Sequence, residues 1–293
     1  MIKYFLTKLE SSSHRGVVIA AAETVFSIAH SVLQFVPGKQ RCPVCGALLI
    51  TLYRPVFSKV LIEEWKLNAE WEGFYNHREG EICISCGGSI RGRQLGLALL
   101  NWLNRSRSLA ESNALAAIYH PSVQKLKIAE INSCGGLHKK LSWLANVSYS
   151  EFEPQDKSIR HEDLLGLTYG DESFDVVLHS DTLEHIPDID KALSEIWRVL
   201  KPGGATVFSI PIVRDGRPTL VRAKLQEGAM KQFHPPSYHG GSYQATRQYL
   251  VCYEFGEDFI DRLKSHGFQV ELLEHPENPA GVTFTAVKSL HKA

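Results

Sequence analysis

The stretch Lys127–Leu141, KIAEINSCGGLHKKL, decides how the rest of the chain is read. Lys127–Ile131 is a short run of strand type. A turn of small residues follows, then a helix-like segment, Leu137–Leu144. A strand, a tight turn and a helix N-terminus are the way nucleotide-type cofactors are held. Glycine suits such a turn because it takes positive φ and lets the backbone approach a ligand. Asn132 and Cys134 stand where two of the glycines are expected. Asn is the best substitute for a left-handed conformation. Cys134 has no such advantage, and its Cβ is expected to point at the ligand or push the turn outward.

Downstream, strand and helix patterns alternate. The strand candidates are Lys127–Ile131, Val147–Ser150, Ser158–Glu162, Phe174–Ser180, Ala205–Pro211, Phe268–His275 and Val282–Lys288. Leu137–Leu144, Asp190–Leu200 and Glu257–His266 read as helices between them. This alternation predicts an α/β domain with a mostly parallel sheet covered on both faces. Ligands on such sheets sit beyond the C-terminal strand ends. The polar segment 214–248 predicts an irregular substrate lid.

Upstream, RCPVCG (Arg41–Gly46) and ICISCGG (Ile82–Gly88) form two Cys-x-x-Cys knuckles. Cys42, Cys45, Cys83 and Cys86 suit a closed, structural zinc site in a ribbon-like module. An iron–sulfur centre, a redox pair and a metal-free state are the alternatives. The intervening segment needs its own elements, such as a helix over Val60–Trp71, and Arg91–Trp102 is strongly helical. Arg91, Arg93, Arg105 and Arg107 follow the second knuckle, as a nucleic-acid patch or as a solvated helix face.

Lys+Arg and Asp+Glu both number 32, so no global charge draws the chain to nucleic acid or acidic lipid. Paired rather than scattered cysteines favour a reducing, cytoplasmic setting. The apolar run Val17–Val36 is interrupted by Glu23, His30 and Gln34, which makes a poor membrane span. It reads as a helix packed on its own protein, as an amphipathic contact with a partner or membrane, or as a cleaved signal. The expected organisation is a helical segment (1–38), a four-cysteine module with its following helix (39–108) and an α/β domain (112–293).

Three segments in order, AEINSCGG (Ala129–Gly136), RHEDLLGLTYGDESFDVVLHSDTLEHIPD (Arg160–Asp188) and LKPGGATVFSIP (Leu200–Pro211), resemble class I S-adenosylmethionine-dependent methyltransferases. The resemblance implies a Rossmann-like, seven-stranded fold. By its pattern Glu130 is the motif's acid and Gly136 its last glycine, with Asn132, Ser133 and Cys134 between them. It puts Glu151 on the ribose hydroxyls, Asp163 and Leu164 on the adenine, and Ser180 and Asp181 at the reacting end. Gly203 or Gly204 is a left-handed helix stop. For an oxygen nucleophile a general base helps, and His185, His234 and His239 are candidates. There is no Asn/Asp-Pro-Pro-Tyr/Phe motif, no Pro-Cys context and no sequence mark of a metal-dependent catechol site. The expected activity is methyl transfer to a small molecule or glycan at oxygen. A zinc-ribbon RNA methyltransferase and a non-catalytic binding module are the alternatives.

Overall fold

The computed structural model describes residues 40–239 and 249–289, so the expected N-terminal helix and residues 240–248 lie outside the described residues. The chain divides into two compact units. In the first, whose described residues are 40–42 and 47–49, Arg41 bridges Leu48 and the Cys42 amide donates to the Ala47 carbonyl at 2.8 Å. The second comprises residues 43–46 and the chain from Ile50 onward, so most of the cysteine-bearing segment shares one unit with the α/β domain.

The second unit is built on a seven-stranded sheet. Its strands are β1 (Ile128–Ile131), β2 (Val147–Glu151), β3 (Arg160–His161), β4 (Phe174–Ser180), β5 (Leu200–Ser209), β6 (Phe268–His275) and β7 (Asn278–Lys288). Their order is β6-β7-β5-β4-β1-β2-β3, with β7 antiparallel to both neighbours and the other pairs parallel. The order reverses direction at β1 and β4, which creates the crevice where ligands of open sheets bind. All four β1 residues are buried, as a central parallel strand requires.

Four helices matter for the site: α1 (Ala69–Gly80), α2 (Ile90–Arg107), α3 (Ile189–Val199) and α4 (Phe259–Ser265). The α2 helix is started by Ser89, whose Oγ accepts from the Gly92 amide, and ended by Ser108 at φ 52. It buries Leu95, Leu99, Trp102 and Leu103. Gly96 lets it approach the first knuckle, because a Cβ there would meet Val44 at 2.5 Å. The α3 helix buries Ile189, Leu193, Ile196 and Val199 in the same core as Phe208, Phe259 and Phe284.

The single helix expected over Val60–Trp71 is broken. Lys59–Glu64 forms one turn-and-a-half, Lys66 adopts φ 50, and Asn68 then caps α1. The segment expected to be an irregular lid instead carries short ladders among its described residues. Ala223–Gln226 pairs with Ala229–Gln232, and Tyr238–His239 pairs with Tyr249–Leu250. Gly203 is left-handed at φ 75, as the Lys-Pro-Gly-Gly stop requires.

Candidate active site

The turn after β1 keeps the shape of a glycine loop with different residues. Asn132 adopts φ 58 and Gly135 φ 61. The Asn132 amide donates to the Ser150 carbonyl at 2.8 Å, and its Oδ1 accepts from the Phe152 amide at 3.2 Å. The Asn132 side chain thereby ties the end of β1 to the end of β2, a bond that glycine could not make. Beneath the turn lies Glu130, fully buried. One carboxylate oxygen accepts from the Cys134 amide and the other pairs with His138 Nδ1, both at 2.8 Å. That hydrogen bond raises the His138 pKa despite partial burial. Burial and the Glu130 charge push the Cys134 thiol well up, so it stays protonated.

A cavity of about 1150 Å³ opens beyond the C-terminal ends of β1, β2 and β4. Asn132, Ser133, Glu151, Asp163, Ser180, Asp181, His185 and His239 line it. Glu130, Cys134, Gly136 and Leu164 do not. Leu164 is 2% exposed in the core, and its neighbour Leu165 faces the cavity instead. Glu151 accepts a hydrogen bond from the Tyr149 hydroxyl, while Asp163 Oδ1 accepts from the Leu165 amide at 2.8 Å. Gly136 serves a different contact. A Cβ there would lie 2.7 Å from the Gly88 Cα and 3.2 Å from the Cys86 carbonyl oxygen, so the second knuckle rests on the turn.

At the floor, Asp181 sits at φ 46 in a buried ion network. Arg78, from the last turn of α1, grips it with two bonds of 2.7 and 2.8 Å. Arg91, from α2, donates to Ser180 Oγ at 2.7 Å and to both Glu79 oxygens. Ser209 Oγ donates to Asp181 Oδ1 at 2.8 Å. Burial opposes ionisation of Asp181, but the two guanidiniums outweigh it and hold the carboxyl well below its usual range. Sequence reasoning missed Arg78 and Glu79. Nothing local marks a helical Arg-Glu pair as the partner of a carboxylate 103 positions away.

His185 and His239 meet at one wall, with ring centroids 4.8 Å apart. His185 Nδ1 donates to the Leu250 carbonyl at 2.9 Å, which leaves Nε2 as the acceptor nitrogen. Burial lowers the His185 pKa. Burial, then the neighbouring His185, push His239 down to about 3. His234 is exposed and lies outside the cavity lining.

The sulfurs of Cys42, Cys45, Cys83 and Cys86 lie within 4.8 Å of one another. Tetrahedral thiolates around zinc, with bonds of about 2.3 Å, stand roughly 3.8 Å apart, so the cluster has the size and donor set for such an ion. Gly46 and Gly87, each directly after a knuckle's second cysteine, are left-handed at φ 73 and φ 74. The four arginines after the second knuckle all meet carboxylates: Arg91–Glu79, Arg93–Glu81, Arg105–Glu271 and Arg107–Asp175. Among the described residues, no helix is long and apolar enough to cross a membrane.

Residues 141–208 match the family model of a methyltransferase domain. The chain is 31% identical over 100 residues to methyltransferase GfsG of Streptomyces halstedii, covering 27% of this chain and 36% of that protein. It is 34% identical over 119 residues to glycine/sarcosine/dimethylglycine N-methyltransferase of Actinopolyspora halophila, covering 38% and 20%. A demethylmenaquinone methyltransferase of Clavibacter sepedonicus is 30% identical over 128 residues, covering 42% and 50%. The chain thus spans half or less of the length of these curated relatives. A solved S-adenosylmethionine-dependent methyltransferase from Mesorhizobium loti aligns at 21% identity and a TM-score of 0.38, covering 59% of this chain and 95% of that one. The methyltransferase-domain match over residues 141–208 thus falls within the seven-stranded sheet, on the segment that runs from the end of the turn after β1 into β5.

Proposed function

We propose that this protein transfers a methyl group from S-adenosylmethionine to an oxygen of a small-molecule or glycan acceptor bound in the cavity. The observation that carries the reading is the convergence of Asn132, Glu151, Asp163 and Asp181 on one cavity at the switch point of the sheet. In this reading Glu151 accepts from the ribose diol and Asp163 from the adenine amine, with Leu165 rather than Leu164 against the ring. Ser180 and Asp181 face the sulfonium end. The methyl group is already activated, so the protein's task is to align nucleophile, carbon and sulfur and to exclude water. His185 or His239 would take the acceptor proton, both being neutral acceptors near pH 7. His234, exposed on the surface, has no place in this step. The four cysteines hold a structural zinc ion that supports the knuckles.

Two observations weigh against the alternatives. Every arginine offered as an RNA-facing patch has an internal carboxylate partner, and overall charge is balanced. A degenerate, non-catalytic fold was motivated by Asn132 and Cys134. Asn132 holds the left-handed turn, and Cys134 stays out of the cavity lining. Assay of the zinc-loaded protein with labelled S-adenosylmethionine against hydroxyl-bearing acceptors tests the reading. Methylation at nitrogen or carbon alone would overturn the oxygen assignment, and no cofactor binding would overturn all of it.

A further inference from the structure

Glu184, His185 and His239 form a corner of the cavity that none of the cofactor-facing groups uses. We propose that these three side chains are a second metal site, for a divalent transition ion of the zinc class, separate from the four-cysteine cluster.

The donors are already gathered. One carboxylate oxygen of Glu184 and one ring nitrogen from each histidine lie within 4.8 Å of one another. Glu184 is 0% exposed, yet among the described residues neither of its oxygens has a hydrogen-bond partner. His239 Nε2 is likewise buried and, among the described residues, unpartnered. A buried carboxylate without a hydrogen bond is rare and costly, and a bound cation removes that cost. Among the described residues the nearby cations are engaged elsewhere, Arg78 by Asp181 and Arg91 by Glu79 and Ser180.

The second contacts are also those of a ligating set. The bond from His185 Nδ1 to the Leu250 carbonyl fixes the tautomer that bares Nε2, which lies 3.7 Å from Glu184 Oε1. A ligating histidine commonly gives its other N–H to a backbone carbonyl in this way. Leu250 lies on the strand that pairs with Tyr238–His239, so one two-stranded ladder both delivers His239 and orients His185. Two imidazoles and one carboxylate suit zinc and its transition-metal neighbours, not magnesium, which prefers oxygen alone. Three protein donors leave a position open toward the cavity.

The role of the ion rests on the proposed methyl transfer, whereas the site itself does not; with an ion bound, both histidines are ligands and the ion replaces the histidine base in activating the acceptor. Bound through its oxygen, an acceptor hydroxyl would release its proton to solvent. The oxygen would then form its bond to the methyl carbon as the carbon–sulfur bond breaks, leaving a neutral thioether. The acceptor class would accordingly be hydroxyl compounds able to coordinate a metal.

Cobalt(II) titration of the full, metal-stripped chain tests the site, because thiolate and imidazole–carboxylate cobalt differ in spectrum. The first equivalent should give the intense thiolate charge-transfer band. A second should add only weak ligand-field bands and survive dialysis. Glu184→Gln and His239→Gln should each lose the second equivalent while keeping the thiolate band and far-ultraviolet circular dichroism. A wild-type protein that retains only the thiolate-bound equivalent overturns the site, whatever the variants do. So does a folded variant that keeps both. S-adenosylhomocysteine binding on the same preparation separates the two readings. Its absence beside two bound equivalents removes the catalytic role and supports the site.

Discussion

Gly136 is where the second cysteine knuckle and the turn after β1 constrain each other. Replacing it by alanine puts a Cβ 2.7 Å from the Gly88 Cα and 2.8 Å from the Gly88 nitrogen. That is about 0.7 Å inside the 3.4 Å at which ordinary contact begins. The obstructing atoms are backbone, so relief requires the second knuckle to shift away from the turn. Overpacking of this kind costs about 1–3 kcal/mol. Gly135→Ala is the control. Its φ of 61 makes it cost about 1–2 kcal/mol in strain, but no atom lies within 4 Å of the added Cβ. Stability alone therefore does not separate the two, whereas metal affinity does. If the Gly136→Ala strain falls on the knuckle, metal binding weakens by about 5- to 150-fold, and Gly135→Ala leaves it unchanged. Equilibrium competition with a colorimetric chelator reads both. Wild-type affinity in Gly136→Ala, or equal losses in the two variants, would refute the coupling.

Arg78→Met strips Asp181 of its two-bond partner, leaving Arg91 at 3.5 Å as the nearest charge. A buried charge so exposed costs about 3–5 kcal/mol, read as a lower urea midpoint, and adding Asp181→Asn should recover part of the loss. His179 stacks on Phe208 with both ring nitrogens unpartnered among the described residues, and burial holds its pKa at about 3. The unfolded chain takes up this proton first, so stability should fall by up to about 1.4 kcal/mol per pH unit between roughly 6.5 and 3. His179→Phe should flatten that component of the slope in urea midpoints measured at several pH values, and an unchanged slope would count against it. His138 runs the other way. Its raised pKa adds stability below its unfolded value that is lost as pH rises through the folded one, and His138→Gln should remove that dependence. Metal removal by a strong chelator should lower Tm, because the free energy of binding at a structural site adds to that of folding; an unchanged Tm would count against a structural role.

Much of the fold was legible because it is written in local pattern. The strand runs at Ile128, Phe174 and Phe268 are dense in apolar residues and bounded by turns, and their limits hold to within a residue. The Lys201-Pro-Gly-Gly stop and the left-handed Asn132 follow from backbone sterics alone. The irregularity expected of residues 214–248 did not hold because the paired segments are only two to four residues long, too short for an alternation to register. The site was legible only in part, for a physical reason. Asp181 and the histidines announce chemistry by type, but their partners come from distant segments. Arg78 is set 103 positions before Asp181, and His239 meets His185 across 54 positions beside a short antiparallel ladder. Gly136 was read as a cofactor glycine because the motif puts one there, although its close neighbour is Gly88. The four arginines looked like a patch because sequence lists charges without their partners.

The most direct test of the account is calorimetric titration of the metal-loaded protein with S-adenosylhomocysteine. One site of micromolar affinity, about −8 kcal/mol, is predicted. Glu151→Ala should weaken it by about tenfold or more through loss of a charge-assisted bond to the ribose, and Cys134→Gly should not strengthen it. Absence of binding by the folded, metal-loaded chain, or binding indifferent to Glu151, would contradict the assignment of this cavity to the cofactor.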